Sequence, residues 1–115
     1  MGTIIELPWP PSINHYWRHT KNGHYISSEG QSYRKIVYFA CHRLQGLISK
    51  ESRLRMSIEA YPPDKRRRDL DNILKALLDS LEHAGVYDDD SQIDFISILR
   101  KPELDNKIIL AIQVI

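Results

Sequence analysis

The sequence predicts an α+β domain in which two main helices pack on a small mixed β-sheet. Its clearest signs are strict alternation over residues 53–61, a leucine stripe over 70–81 and two apolar runs that follow it. In the first, Leu54, Met56, Ile58 and Ala60 face one way and Arg53, Arg55, Ser57 and Glu59 the other, which is the period of a half-buried strand. In the second, Leu70, Ile73, Leu74, Leu77, Leu78 and Leu81 share one helical face, and Gly85 stands where a C-terminal cap belongs.

The remaining elements follow in chain order. Residues 3–7 read as a first strand, which Pro8 or Pro10 must end, and Pro8-Trp9-Pro10 keeps the chain extended. Residues 10–21 are polar and aromatic and read as a loop. Asn22-Gly23 signals a tight turn, with a brief strand at His24-Tyr25-Ile26. Ser27 or Ser28 can cap a helix reaching about Leu47, along which Tyr33, Ile36, Val37, Ala40, Cys41 and Leu44 recur at helical spacing. Pro62-Pro63 closes the alternating strand. Residues 93–99 and 107–115 read as strands, and Pro102 with Asp105-Asn106 between them predicts an antiparallel hairpin.

At 115 residues, 42% of them apolar, the chain fits a single ordered domain, 1–115, with one modest core. Nothing after Met1 resembles a signal peptide, and no apolar run approaches the roughly 18 residues of a membrane span. Cys41 is alone, so an internal disulfide is excluded and a reducing, cytoplasmic setting is expected. The net charge of +1 conceals an asymmetry. Through Arg68 there are twelve Lys/Arg against five Asp/Glu, and from Asp69 onward four against ten. A basic first half suits a polyanion and an acidic second half suits a cation, although two solvated faces of unlike charge would read the same way.

Chemistry concentrates in Arg66-Arg67-Arg68-Asp69-Leu70-Asp71-Asn72, followed by Lys75 and by the loop Asp88-Asp89-Asp90-Ser91. Leu70 belongs to the buried stripe, so Asp69 and Asp71 flank that stripe at the start of its helix and can reach a common point. Taken singly, each residue has a plain structural explanation: Asp69 as an N-cap, Asp71 as a complement to the helix dipole, Lys75 as an i,i+4 partner. Together they describe an acidic metal site beside a basic clamp. Mg²⁺ takes hard oxygen ligands, typically one or two carboxylates with water and phosphate oxygens. Arginines hold flanking phosphates bidentately, and a lysine can stabilise charge in a pentacovalent transition state. Other constellations are weaker. His15 and His19 lie in a Pro-flanked loop with no third zinc ligand, and Cys41 and His42 are adjacent on a helix and point apart. There is no Gly-rich phosphate loop, so no nucleotide cofactor is expected.

The segment Leu7-Pro8-Trp9-Pro10-Pro11-Ser12-Ile13-Asn14-His15-Tyr16-Trp17-Arg18 resembles the opening Pro-rich motif of the RusA family of Holliday-junction resolvases. The run 66–72, with Lys75, Ala84-Gly85 and Asp89-Asp90-Ser91-Gln92, is similar to that family's second motif, and the likeness extends nearly end to end. The resemblance implies that Asp69, Asp71 and Asp90 bind Mg²⁺, with Mn²⁺ as a substitute, and that Lys75 assists catalysis. Within the consecutive Asp88-Asp89-Asp90 it selects Asp90, and a register shifted by one stays open. It further implies that Asn14, Tyr16 and Arg18 lie near the DNA path or the active site, beside the clamp of Arg66, Arg67 and Arg68, although Trp9 and Trp17 would serve equally as core. It also implies a homodimer of α+β protomers, whose two-fold axis suits paired symmetric nicks in a four-way junction. The activity implied is hydrolysis to a 5′-phosphate and a 3′-hydroxyl, in DNA recombination and repair. The alternatives are a non-catalytic junction-binding protein and a metal nuclease acting on other branched DNA or on RNA.

Overall fold

The computed structural model describes residues 2–115. In chain order these form β1 (Gly2–Pro8), α1 (Ile13–Tyr16), β2 (Trp17–Thr20), β3 (Gly23–Ile26), α2 (Ser28–Ala40), β4 (Leu54–Tyr61), α3 (Leu74–His83), β5 (Ile93–Arg100) and β6 (Lys107–Val114). The main sheet is mixed, in the order β1-β6-β4-β5, and β2 pairs with β3 in a separate hairpin. The predicted layering of helices on a small mixed sheet is therefore present.

Alternation in β4 buries Leu54, Met56, Ile58 and Ala60, and β6 contributes Ile108, Leu110 and Ile112 to the same layer. Val37 and Tyr33 of α2 and Leu77 and Leu81 of α3 close that layer from the other side. Burial of these side chains is the main stabilising term, on the order of 1.5–3 kcal/mol for each large aliphatic one.

The helix carrying the leucine stripe ends as its sequence requires. Gly85 takes φ +80, its N–H donates to the Glu82 carbonyl at 3.0 Å, and the Val86 N–H donates to Leu81 at 3.1 Å. Those two bonds are a Schellman closure, which needs a residue at ease in the left-handed region. A Cβ at Gly85 would also stand 2.7 Å from Cγ of Gln45.

The structure departs from expectation in several places. The last two strands do not form a hairpin: β5 runs parallel to β4, whereas β6 is antiparallel to both β4 and β1. The long crossover through α3 allows the parallel pairing, and β6, apolar on both faces, takes the inner position. The first long helix stops at Ala40, not near Leu47, and passes through Cys41 into a 3₁₀ turn at His42–Leu44. Residues 10–21 are not all loop, because they hold α1 and β2. The leucine-striped helix opens with a 3₁₀ turn, Leu70–Ile73, before α3 begins.

No helix among the described residues is long and apolar enough to cross a membrane.

Candidate active site

The Pro-rich segment is fastened where it begins. The Tyr33 hydroxyl donates to the Pro8 carbonyl at 2.8 Å, and the Trp9 N–H donates to Asn106 at 3.2 Å. Farther on, Ser27 serves two helices at once. Its Oγ accepts the Gly30 N–H at 3.0 Å, capping α2, while the same hydroxyl and the Ser27 N–H both donate to the Tyr16 carbonyl that ends α1. Gly30 lets α2 approach this junction, for a Cβ there would lie 2.7 Å from the Tyr16 carbonyl oxygen.

Between the Pro-rich segment, α2 and the arginine run lies an open groove of about 860 Å³, with Trp9, Pro11, Arg66, Arg67, Asp69 and Asn72 among its walls. Two stretches remote in sequence, the Pro-rich motif and the Arg/Asp motif, thus share one groove. The arginines are not equivalent. Arg66 and Arg68 turn back to the Asp64 carboxylate, at 3.2 and 2.7 Å. Their hydrogen bonds hold the Asp64 carboxyl well below the usual carboxylate range. Arg67 is exposed and makes no salt bridge among the described residues, which leaves its guanidinium available for a phosphate.

Asp69 occupies the N-cap position of the 3₁₀ turn in an extended conformation, and its side chain caps nothing. Asp71 lies within the turn and is exposed. The capping explanation of Asp69 is therefore not the one the fold uses.

Among the described residues, one set of acidic side chains brings carboxylate oxygens within 4.8 Å of one another: Glu82, Asp89 and Asp90. Asp90 is the residue singled out from the sequence. Asp89 accepts the Ser91 N–H at 2.8 Å in a capping box completed by Gln92. Gln92 is buried and fully engaged: its Oε1 accepts the N–H groups of Asp88 and Asp89, and its Nε2 donates to the carbonyls of Ser49 and Ser52. The acidic turn is thus rigidly based. Glu82 was not expected from sequence. It sits on the last turn of α3, and the reversal at Gly85 folds the chain back so that its Oε1 accepts the Asp90 N–H at 2.9 Å. Asp69 and Asp71 lie outside this close set. An all-oxygen, anionic donor set of this kind fits a hard divalent cation.

The other expected residues separate into two kinds. Asn14, Arg18 and Lys75 are exposed. Tyr16 is fully buried, and its hydroxyl donates to Asp79 Oδ2 and accepts from Arg34 Nε at 2.9 Å. An enclosed phenol does not lie against DNA, so a direct contact from Tyr16 is ruled out by burial and its part is internal. Arg34 also donates to Asp79, through Nη2 at 2.5 Å. Burial pushes the Tyr16 hydroxyl above its ordinary value. His15 and His19 sit on different elements, α1 and β2, and His19 packs edge-on against His24 across the hairpin, so the two do not make a helical metal pair.

Comparison with known proteins agrees with these motifs. Residues 8–113 match the family model described as endodeoxyribonuclease RusA. Over 94 residues the chain is 54% identical to the crossover junction endodeoxyribonuclease rusA of Enterobacteria phage HK97, covering 82% of this chain and 78% of that protein. It is 42% identical over 98 residues to the crossover junction endodeoxyribonuclease RusA of Shigella sonnei (strain Ss046), covering 85% and 82% of the two chains. The corresponding protein of Escherichia coli (strain K12) is 41% identical over 98 residues, with the same coverage of 85% and 82%. With its Pro-rich and Arg/Asp motifs joined in one groove and the family model matching residues 8–113, the chain belongs to the RusA family of endodeoxyribonucleases.

Proposed function

We propose that this protein is a Holliday-junction resolvase, an endodeoxyribonuclease that nicks four-way DNA junctions in the course of recombination and repair. One observation carries the reading: the Pro-rich motif and the Arg/Asp motif, remote in sequence, line a single groove in a chain matching the RusA family over residues 8–113.

Asp69, Asp71 and Asp90 would hold a divalent cation, Mg²⁺ or Mn²⁺, with Glu82 and Asp89 as carboxylate neighbours of Asp90. Such an ion, when bound, polarises the scissile phosphoryl oxygen and lowers the pKa of a coordinated water. The protein's own side chains do the rest. Arg67 takes a flanking phosphate bidentately, and Arg66 and Arg68, braced by Asp64, add positive field to the same wall. Lys75 stabilises the charge that develops on the phosphoryl group. Asn14 and Arg18 lie along the DNA path, and Tyr16 supports them from beneath. Phosphate and shape contacts would select the branched substrate, since the chain carries no recognisable motif for reading a major groove. A homodimer would set two such sites across a two-fold axis for paired nicks, in the cytoplasm.

The test uses a labelled, mobile four-way junction incubated with the full chain in Mg²⁺ and, separately, in EDTA. Paired symmetric nicks in Mg²⁺ alone, lost in Asp71→Asn while junction binding persists, are expected. Binding without cleavage in any divalent ion would make this a junction-binding protein, and equal cleavage of flaps or RNA would make it a nuclease of another class.

A further inference from the structure

Lys75 is exposed at the start of α3, and a lysine in that position ordinarily pairs with a carboxylate one turn away. The residue one turn on is Asp79. Its carboxylate is turned inward and taken by the Arg34 guanidinium and the Tyr16 hydroxyl. Lys75 makes no salt bridge among the described residues. Its ammonium lies instead 5.9 Å from the ring centroid of Trp17, within the reach of a cation–π interaction. Such an interaction orients a cation without neutralising it, so the charge stays free for an incoming anion.

Trp17 is itself held from below. It follows Tyr16 directly, and the two rings meet edge to face with centroids 5.4 Å apart. Tyr16 is anchored through its hydroxyl to Asp79 on α3 and through its carbonyl to Ser27, the N-cap of α2. The indole is therefore tied to the same helix that carries the lysine, one turn below it.

We propose that Trp17 is a positioning residue for Lys75: its ring, fixed by the Tyr16–Asp79–Arg34 network, holds the unpaired ammonium where the scissile phosphate arrives. The proposal rests on the reading of Lys75 as a catalytic group. Without the indole, the four-carbon stem samples other rotamers and the correctly placed fraction falls.

The test measures single-turnover cleavage of a four-way junction by saturating protein in Mg²⁺, with junction affinity measured separately in EDTA. Trp17→Leu should slow cleavage about three- to fivefold, a loss in keeping with an exposed cation–π contact, at unchanged affinity. Trp17→Phe, which restores a ring, should recover most of the rate. In a Lys75→Ala background, Trp17→Leu should have no further effect. Tyr16→Phe keeps the buried ring and deletes only the hydroxyl. It should slow cleavage in the same direction and be equally silent without Lys75, which keeps the test decisive if the leucine variant folds poorly. Multiplicative losses in the double variants would overturn the proposal, as would a loss of affinity in place of rate, which would make Trp17 a DNA contact. A Lys75→Ala protein as fast as the parent would overturn the catalytic reading of Lys75 itself, and this proposal with it.

Discussion

The carboxylate of Glu82 accepts the backbone N–H of Asp90 at 2.9 Å, joining the end of α3 to the acidic turn that follows it. The bond fixes where Asp90 begins. If its value lies in the hydrogen bond, Glu82→Gln should keep most of the junction-cleavage rate, and Glu82→Ala should lose both rate and about 1 kcal/mol of stability. Cleavage at several Mg²⁺ concentrations and a thermal melt check both. Equal losses in the two variants would show that the charge, and not the bond, is what matters.

The Asp79 carboxyl is pulled two ways. Burial raises its pKa, and the Tyr16 hydroxyl and Arg34 guanidinium lower it by more, so it ends below the ordinary value. A depressed carboxylate contributes stability above its unfolded pKa of about 3.9 and loses it as pH falls through the lower native value. Asp79→Asn should therefore be less stable than the parent by roughly 2 kcal/mol at pH 6, a partly buried pair counting for less than an enclosed one. That gap should shrink as pH falls below about 4, which urea melts across pH would reveal. A gap constant down to pH 2 would assign the loss to shape alone.

Gly30→Ala gives the opposite of the usual outcome. Within a helix this change ordinarily stabilises by about 1 kcal/mol. Here the new methyl would stand 2.7 Å from the Tyr16 carbonyl oxygen and 2.8 Å from Cγ2 of Ile26. That oxygen is held by Ser27 and cannot retreat without breaking the α1–α2 junction. A net destabilisation of about 1–3 kcal/mol is expected, read from denaturant midpoints. A gain in stability would mean the helices have slack.

Much of this fold is written in local patterns. β4 alternates because one of its faces is buried, and α3 shows its stripe and its closing glycine because helix ends need particular residues. The partner of β5 is not written that way. A short connection between residues 100 and 107 imitates a hairpin, and only long-range pairing places β5 beside β4. A signal was nonetheless present: Lys-Ile-Ile-Leu-Ala-Ile is apolar without alternation, as an inner strand should be, whereas β5 is exposed along most of its length, as an edge should be.

The site divides in the same fashion. The Arg/Asp run, Lys75 and the acidic loop stand out because their residue types are unusual at their spacing, whereas Asp90 is picked from that loop by the family resemblance alone. Glu82 is an ordinary helix glutamate until the reversal at Gly85 sets it against Asp90. Tyr16, read as lying near DNA, is instead internal, because nothing in its neighbours foretells Arg34 and Asp79 closing over it.

The position of β6 between β1 and β4 has a consequence for how the protein is made. Until residues 107–114 have left the ribosome, β1 has no neighbour and β4 has only its parallel one, so two of the other three strands wait on β6. The nascent chain must carry β1 unpaired until β6 has been made, and the sheet closes only then. The rate of that closure is set by contacts distant in sequence, not by local turns.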